Sequence, residues 1–497
     1  MLPPIMFSVP VPRIFSGLSL KRVSIAALVT AAFGLAACAA VPPSTTDKPV
    51  DPATLASTQS LQGQAGAWPS KDWWQGFNDP QLNSLMTEAF AASPDLKAAH
   101  ARLEKANAFY DQVKAVLSPT VTLNGSIAST KSSLNMGFPD AFKSFLPQGY
   151  WYADRLAFDA SYDIDLWGKS HAALRGAIGQ AKAAELEGEV ARQALAQQIA
   201  RAYVELDRLY QERDDLTEIK TGSDMRVQLV QARLDHNLDD MDTLLRSQDD
   251  QAQVSQRLAT TNGAIRIQQN LLAALVGAGP DRGLSITRPQ LAPVAVDTLP
   301  DDIQLNLLGR RPDVQAARLH VEAASDQIKY SKADFYPNLK LNAYFGLQAL
   351  GKDGLGLSEL TAKNSDIGSI GPAISLPLFN GGSLRAAYRS SEADYDSAVA
   401  TYDQALTTAL HEVADAAANT QSTADQMKAA QTRLDAAQKT YDLSKARFGK
   451  GIGTKVDVLQ AHSSLIAAGL EVTNLKAQAY NDRIRFVAAL GGGFQPQ

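Results

Sequence analysis

SPDLKAAHARLEKANAFYDQVKAVLSPTVTLNGS, Ser93 to Ser126, returns in altered form as RPDVQAARLHVEAASDQIKYSKADFYPNLKLNAY, Arg311 to Tyr344. Pro94 pairs with Pro312 and Pro119 with Pro337, both at an offset of 218 residues. Further on, Leu166-Trp167-Gly168 answers Leu378-Phe379-Asn380, and Ala232-Arg233-Leu234 answers Ala446-Arg447-Phe448, so the register drifts by only a few residues. Solenoid units repeat every 20 to 50 residues or so; a period this long is a duplicated domain. Each copy reads helix, strand, polar loop, strand, then a very long helical stretch. The expected division is a leader over 1–37, a linker over 38–75, repeat one over 76–279, a linker over 280–300, repeat two over 301–492 and a tail over 493–497.

The strands alternate with period two. Val121, Leu123 and Ile127 oppose Thr122, Asn124 and Ser126. Leu156, Phe158, Ala160, Tyr162, Ile164 and Leu166 oppose Arg155, Asp159, Ser161, Asp163 and Asp165. In copy two, Leu339, Leu341, Ala343, Phe345 and Leu347 oppose Lys340, Asn342, Tyr344 and Gln348, and Ile370, Ile374, Leu376 and Leu378 form the return strand's apolar face. Such strands suit a transmembrane barrel with a wet lumen, which would be lined by Arg155, Asp159, Asp163, Lys340 and Asn342. The edge of a soluble sandwich alternates in the same way, but four strands are too few for one, and their loops (about 131–150 and 349–366) are long and polar. Four are also too few for a barrel, which needs about eight, and edges open to lipid are very costly. Other copies of the chain are required to close it.

Proline is absent between Pro147 and Pro280 and again between Pro377 and Pro496, and both spans are rich in helix formers. Leu195, Ile199, Ala202, Leu206 and Leu209 recur at steps of four and three, as do Val399, Tyr402, Leu406, Ala409, Val413 and Ala416. This is the spacing of a coiled-coil seam. Each span breaks once, at Asp235-His236-Asn237 and at Gly449-Lys450-Gly451-Ile452-Gly453, where Asn and Gly tolerate left-handed backbone. Two helical hairpins with arms of roughly 60 to 65 residues, about 95 Å each, are expected. The copy-one turn reads as one residue shorter. The fold class is therefore dominated by long antiparallel helical hairpins, with four transmembrane strands, internally duplicated.

The chain opens with a basic segment, Arg13, Lys21 and Arg22, then the apolar run Val23 to Ala37. That run has signal-peptide length, short of the 18 or so residues of a spanning helix. It ends in Leu35-Ala36-Ala37-Cys38, a lipoprotein cleavage box, with small residues before the cut and an acylable thiol after it; Met6 is an alternative start. Cys38 is the only cysteine, which excludes an intramolecular disulfide and a Cys-based zinc site. Of 47 basic residues the leader removes three, leaving 44 against 52 acidic, a net charge of −8. No basic stripe marks a nucleic-acid surface. The His and Met residues do not cluster at ligand spacing, and no nucleophile elbow, metal motif or phosphate-cradling loop is present. No enzyme, cofactor or resident metal is expected.

In this order, Trp73-Trp74 with Phe77, Asp79-Pro80 and Leu82, Ser93-Pro94-Asp95-Leu96, Asp165-Leu166-Trp167-Gly168-Lys169, Gly309-Arg310-Arg311-Pro312-Asp313-Val314, Tyr336-Pro337 and Leu376-Pro377-Leu378-Phe379-Asn380-Gly381-Gly382 resemble the TolC-type outer membrane efflux family, in its lipidated branch. The resemblance spans the mature chain. It implies a homotrimer whose strands make one twelve-stranded barrel in outer-membrane lipid, above a tapering periplasmic tunnel of helices. It also implies a periplasmic adaptor and an inner-membrane pump of the RND type. Ala39, rather than Asp, after the cysteine favours, by resemblance to enterobacterial lipoproteins, sorting to the outer membrane.

The resemblance places the tunnel's narrow end just after the hairpin turns, at Asp457 and, in copy one, Asp242, with Gln460 where a second acid is expected and Gly453 where some members carry a base. A ring of carboxylates would constrict the opening and favour cations. A local reading stands beside it, since Thr454 and Asp457 are spaced as a capping box. The tips, Arg447, Gly449, Gly451, Ile452, Gly453 and Thr454 with Arg233, Asn237, Leu238 and Asp239, match the adaptor-contacting segments of the family. Trp151, Tyr152, Tyr162 and Trp167 are either interfacial anchors or packing aromatics. The expected role is an exit duct for small toxic compounds; ducts for secreted protein or, less so, for metal ions are the alternatives, and a coiled-coil tether would leave the strands unexplained.

Overall fold

The structure is a computed structural model that describes residues 41–56, 59–61, 66–135, 139–145, 148–293, 298–300, 303–351 and 357–495. The leader and Cys38 lie outside the described residues. The chain divides into two compact units, and the division cuts across both repeats. One unit takes residues 113–174 and 325–394 with the described N-terminal residues up to Thr46; the other takes 47–112, 175–324 and 395–497. The principal helices are α1 (Pro80–Ala92), α2 (Pro94–Ala115), α3 (Lys169–Asp235), α4 (Met241–Leu275), α5 (Pro312–Ala333), α6 (Ser383–Gly449) and α7 (Lys455–Ala489).

The first unit carries an antiparallel sheet, β1 (Thr120–Thr130), β2 (Trp151–Ile164), β3 (Asn338–Gly351) and β4 (Asp366–Ser375), in the order β1-β2-β3-β4. Register carries the period-two pattern across all four strands. Val121, Ala160, Ala343 and Ile370 form one rung, and Leu123, Phe158, Phe345 and Gly368 the next but one on the same face. Val121, Leu123, Phe158, Phe345, Ile370 and Ile374 are all exposed in the single chain, an apolar surface that water would not leave bare. Leu166, Leu376 and Leu378 fall beyond the strand ends rather than on this face, because β2 stops at Ile164 and β4 at Ser375.

On the opposite face, Arg155 is level with Gln348, Asp159 with Tyr344, Asp163 with Lys340, and Ser161 with Asn342. Asp159 accepts from Arg155 Nη2 at 2.7 Å and from Asn124 Nδ2 at 2.8 Å, and Lys340 Nζ sits 3.2 Å from Asp163. The strands approach so closely at Gly346 that a Cβ there would lie 2.2 Å from the Leu156 carbonyl oxygen. Two acids interrupt the apolar face: Asp366, exposed and level with Leu347, and Asp154. Asp154, level with Ile127 and Ala349, is buried with neither carboxylate oxygen hydrogen-bonded. A short helix, Leu357–Leu360, packs on β2 and β3.

The second unit is helical, and the coiled-coil stripes are its core. Leu195, Ile199, Ala202, Leu206 and Leu209 are buried, as are Val399, Tyr402, Leu406, Ala409, Val413 and Ala416. The α3 stripe packs with Trp73, Trp74, Phe77, Leu82, Leu85 and Met86; the α6 stripe is covered in part by Leu299, Ile303 and Leu307. The repeat is kept to the residue: α2 and α5 have 22 residues each, α3 and α6 have 67, α4 and α7 have 35. The hairpin arms are therefore unequal, about 100 Å and about 53 Å at 1.5 Å per residue, not two arms of 60 to 65 residues. Left-handed glycines, Gly277 at φ 76° and Gly491 at φ 91°, stop the shorter arms. A Cβ on Gly491 would lie 2.0 Å from the Arg310 carbonyl oxygen, so the chain must carry glycine where it turns away.

Candidate functional site

Both hairpin tips are built on one hydrogen-bond plan at an offset of 214 residues. Asn237 N–H donates to Leu234 O and Leu238 N–H to Arg233 O, at 2.9 and 2.8 Å; Gly451 donates to Phe448 O and Ile452 to Arg447 O, at 2.9 and 3.0 Å. Asn237 at φ 55° and Gly451 at φ 71° hold the same left-handed position. Copy one therefore does not lack a residue in its turn: α3 ends at Asp235 and α4 begins at Met241, as α6 ends at Gly449 and α7 begins at Lys455. Gly451→Ala should strain its tip by about 1–2 kcal/mol, seen as faster amide exchange over residues 450–458, whereas Asn237→Gly should leave its own tip unchanged or slower to exchange.

Equal turns change which residues correspond. Asp457 is matched by Thr243, and Asp242 by Val456. The caps are consequently exchanged between copies. In copy two Thr454 caps α7: Asp457 N–H donates to Thr454 Oγ1 at 3.2 Å, and Asp457 Oδ2 accepts from Thr454 N at 2.8 Å. In copy one the acid is itself the cap, Asp240, accepting from Thr243 N–H at 2.8 Å. Hydrogen bonds from Thr454 hold Asp457 below the ordinary carboxylate range, and those from Thr243 do the same for Asp240. Asp242 instead pairs with Arg246 at 2.8 Å, one turn along α4 and in solvent.

Asp457 and Gln460 share an exposed face of α7, while Val458 and Leu459 between them are buried. Arg233 is tied back to Asp239 at 2.7 Å, and Leu238 and Ile452 stand exposed at the two tips. Gly453 lies near Arg447, where a Cβ would make only ordinary contact with the Arg447 Cβ at 3.5 Å. Gly449 closes α6. The sequence pattern did not reveal the exchanged caps, although the pair Asp240 and Thr243 has the capping spacing with its members reversed.

Several quoted motifs prove to be joints. Asp165 lies past the end of β2 and accepts from His171 N–H at 3.0 Å in the first turn of α3. Trp167 stacks on Tyr336 with centroids 4.9 Å apart and donates Nε1–H to Pro337 O at 2.8 Å, so it packs against the second repeat. Lys169 then pairs with Asp334 at 2.5 Å. Arg311, buried, is clamped by Asp313 and Glu412 at 2.6 and 2.5 Å. Trp151 donates its indole N–H to Gln148 O at 2.9 Å, and Tyr152 pairs in register with Gly351 at the same end of the sheet.

The model of the outer membrane efflux protein family matches residues 85–278 and 305–492, most of the chain and once per repeat. The chain belongs to the outer membrane efflux protein family. Among solved structures, it resembles the outer membrane protein VceC of Vibrio cholerae at 36% identity with a TM-score of 0.77, over 86% of this chain and 100% of that one. Among curated relatives it is 27% identical over 440 residues to the multidrug resistance outer membrane protein MdtP of Escherichia coli, 87% of this chain and 88% of that protein. It is 30% identical to the putative multidrug resistance outer membrane protein MdtQ of Shigella flexneri, over 89% of this chain and 92% of that one. As a family member the chain is an outer membrane protein of the channel type, and its apolar sheet face has lipid as its natural neighbour. No helix is long and apolar enough to cross a membrane, among the described residues; the strands are the elements suited to that task.

Proposed function

We propose that the protein is the outer-membrane exit duct of a tripartite efflux system, passing small toxic compounds or drugs outward. The observation that carries this reading is the sheet: four strands, two free edges, one face that is apolar except at Asp154 and Asp366, and one polar face of paired charges. Such edges must be paired within lipid, and three copies would close twelve strands into one barrel. Arg155, Asp159, Asp163, Lys340 and Asn342 then line the lumen, and their mutual pairing leaves the wall wet with little net charge. Cys38 carries the lipid anchor. A periplasmic adaptor docks on the tips, where Leu238 and Ile452 are bare, and an inner-membrane RND pump supplies the energy. The names of MdtP and MdtQ support drugs as cargo.

Recording from the purified protein in planar bilayers tests the reading, and absence of conductance sinks it. The periplasmic aperture is assigned to Asp457 with Gln460 beside it; Asp242, paired with Arg246 and matched to Val456, is assigned a flanking place. Asp457→Ala should raise single-channel conductance, while an unchanged value would leave Asp457 as a cap alone. Because its pKa is lowered on folding, the cap contributes at neutral pH and is lost as pH falls through the lowered value. Amide protection factors at the start of α7, corrected for the intrinsic pH dependence of exchange, should therefore fall in acid in the wild type and stay unchanged in Asp457→Ala.

A further inference from the structure

A cavity of about 390 Å³ in the helical unit is bounded by α3, α6 and α7 and the start of α5. Arg201 of α3 and Arg485 of α7 both line it. The Arg201 Nε–H is shut off from solvent and has no hydrogen-bond partner. Arg485 has its carboxylate neighbour, Asp482, at 3.8 Å, and that carboxylate is already engaged by Thr423 Oγ1 at 2.6 Å and Gln478 Nε2 at 2.8 Å. Glu412 and Asp313, on the same cavity, are committed to Arg311. Asp415 lines it too, from an exposed position, and pairs with neither arginine among the described residues. Burial, and after it the charge of Arg485, depresses the pKa of Arg201. Two like charges thus share a partly dry space, one with an unmet donor, which is costly without an acceptor.

We propose that this cavity binds a small oxyanion of the phosphate or carboxylate class between Arg201 and Arg485. Guanidinium forks match the spacing of oxyanion oxygens and bind them by short, charge-assisted hydrogen bonds. The bound ion satisfies the Arg201 Nε–H, cancels the repulsion between the two arginines and cross-links α3 of the first repeat to α7 of the second. The site stands apart from the conducting role and holds whether or not the chain forms a duct.

Thermal unfolding of the full-length protein in detergent tests the site, with inorganic phosphate titrated against sodium chloride at matched ionic strength. A ligand that binds the folded state raises the midpoint in a saturable way, and phosphate should do so where chloride does not. Arg201→Gln and Arg485→Gln should each weaken the apparent Kd for phosphate at least tenfold, and Asp415→Asn, which removes a competing negative charge, should tighten it. If Arg201→Gln does not fold, the half-exposed Arg485→Gln decides the matter. A midpoint that follows ionic strength alone, or an equal phosphate response in the wild type and Arg485→Gln, overturns the proposal. So does a phosphate-insensitive wild type whose oligomer is weakened by Arg485→Gln, since a carboxylate of a second copy would then fill the cavity.

Discussion

Asp79→Ala is expected to destabilise the helical unit by about 3–5 kcal/mol, the sum of a lost helix cap and of buried donors left without an acceptor. Asp79 is buried at the N-terminus of α1, where it accepts from Gln81 N–H at 2.8 Å and Leu82 N–H at 3.3 Å. Its other oxygen accepts from Tyr203 O–H on α3 at 2.8 Å and from Gln290 N–H in the inter-repeat linker at 2.7 Å. One carboxylate therefore joins three segments that are far apart in sequence. Burial raises the Tyr203 phenol pKa above its ordinary value, so the tyrosine is a donor throughout the usable pH range. Tyr203→Phe removes one hydroxyl, which donates to Asp79 and accepts from Gln81 Nε2–H at 2.7 Å; Asp79 and Gln81 each keep other partners, so it should cost less, about 1–2 kcal/mol. Trp73 and Trp74 are buried in the same core, so urea unfolding followed by tryptophan fluorescence reports both variants. Equal midpoints for wild type and Asp79→Ala would show that the network is dispensable.

The second large effect concerns the sheet. Phe345 is level with Phe158 and Gly368 near the middle of the apolar face, and 69% of it is exposed in the single chain. Phe345→Arg places a cation against lipid, at about 2–4 kcal/mol per copy near the bilayer midplane. Membrane-inserted, heat-resistant oligomer should fall steeply. Asn342→Arg, three residues away but on the polar face beside Ser161 and Gly371, should still insert and alter ion selectivity instead. If the two variants insert equally well, the assignment of faces is wrong.

The contrast between these residues explains how much of the protein was legible in advance. Phe345 and Asn342 were separable by eye because strand side chains alternate strictly, so a face is a property of the sequence alone. The buried stripes of α3 and α6 were legible for the same kind of reason, their period of 3.5 residues marking one side of a helix. Asp79-Pro80 was recognisable as a motif, but its partners Tyr203 and Gln290 lie more than a hundred residues away. Local spacing carries no information about such contacts. Arg201 was invisible as a site, because an arginine on a helix is ordinarily solvated and only packing shows that its Nε–H is dry.

The tips show where sequence comparison misleads. Lining up acidic residues matched Asp242 with Asp457 and required a missing residue in the first turn. Equal helix lengths and a shared left-handed position instead match Asp457 with Thr243 and Asp240 with Thr454. Side-chain chemistry had been exchanged between two positions while the backbone stayed constant, since either order of acid and hydroxyl satisfies the free N–H groups of a helix start.

The sequence by itself determined the duplication, the two faces of every strand and the seams of the long helices, because each follows from a period along the chain. Tertiary structure alone decided the register that aligns four apolar strand faces, the glycine stops that make the hairpin arms unequal, and the pairing of charges. Those depend on which distant segments meet, and the free energy of burying or satisfying a group is set by its neighbours in space.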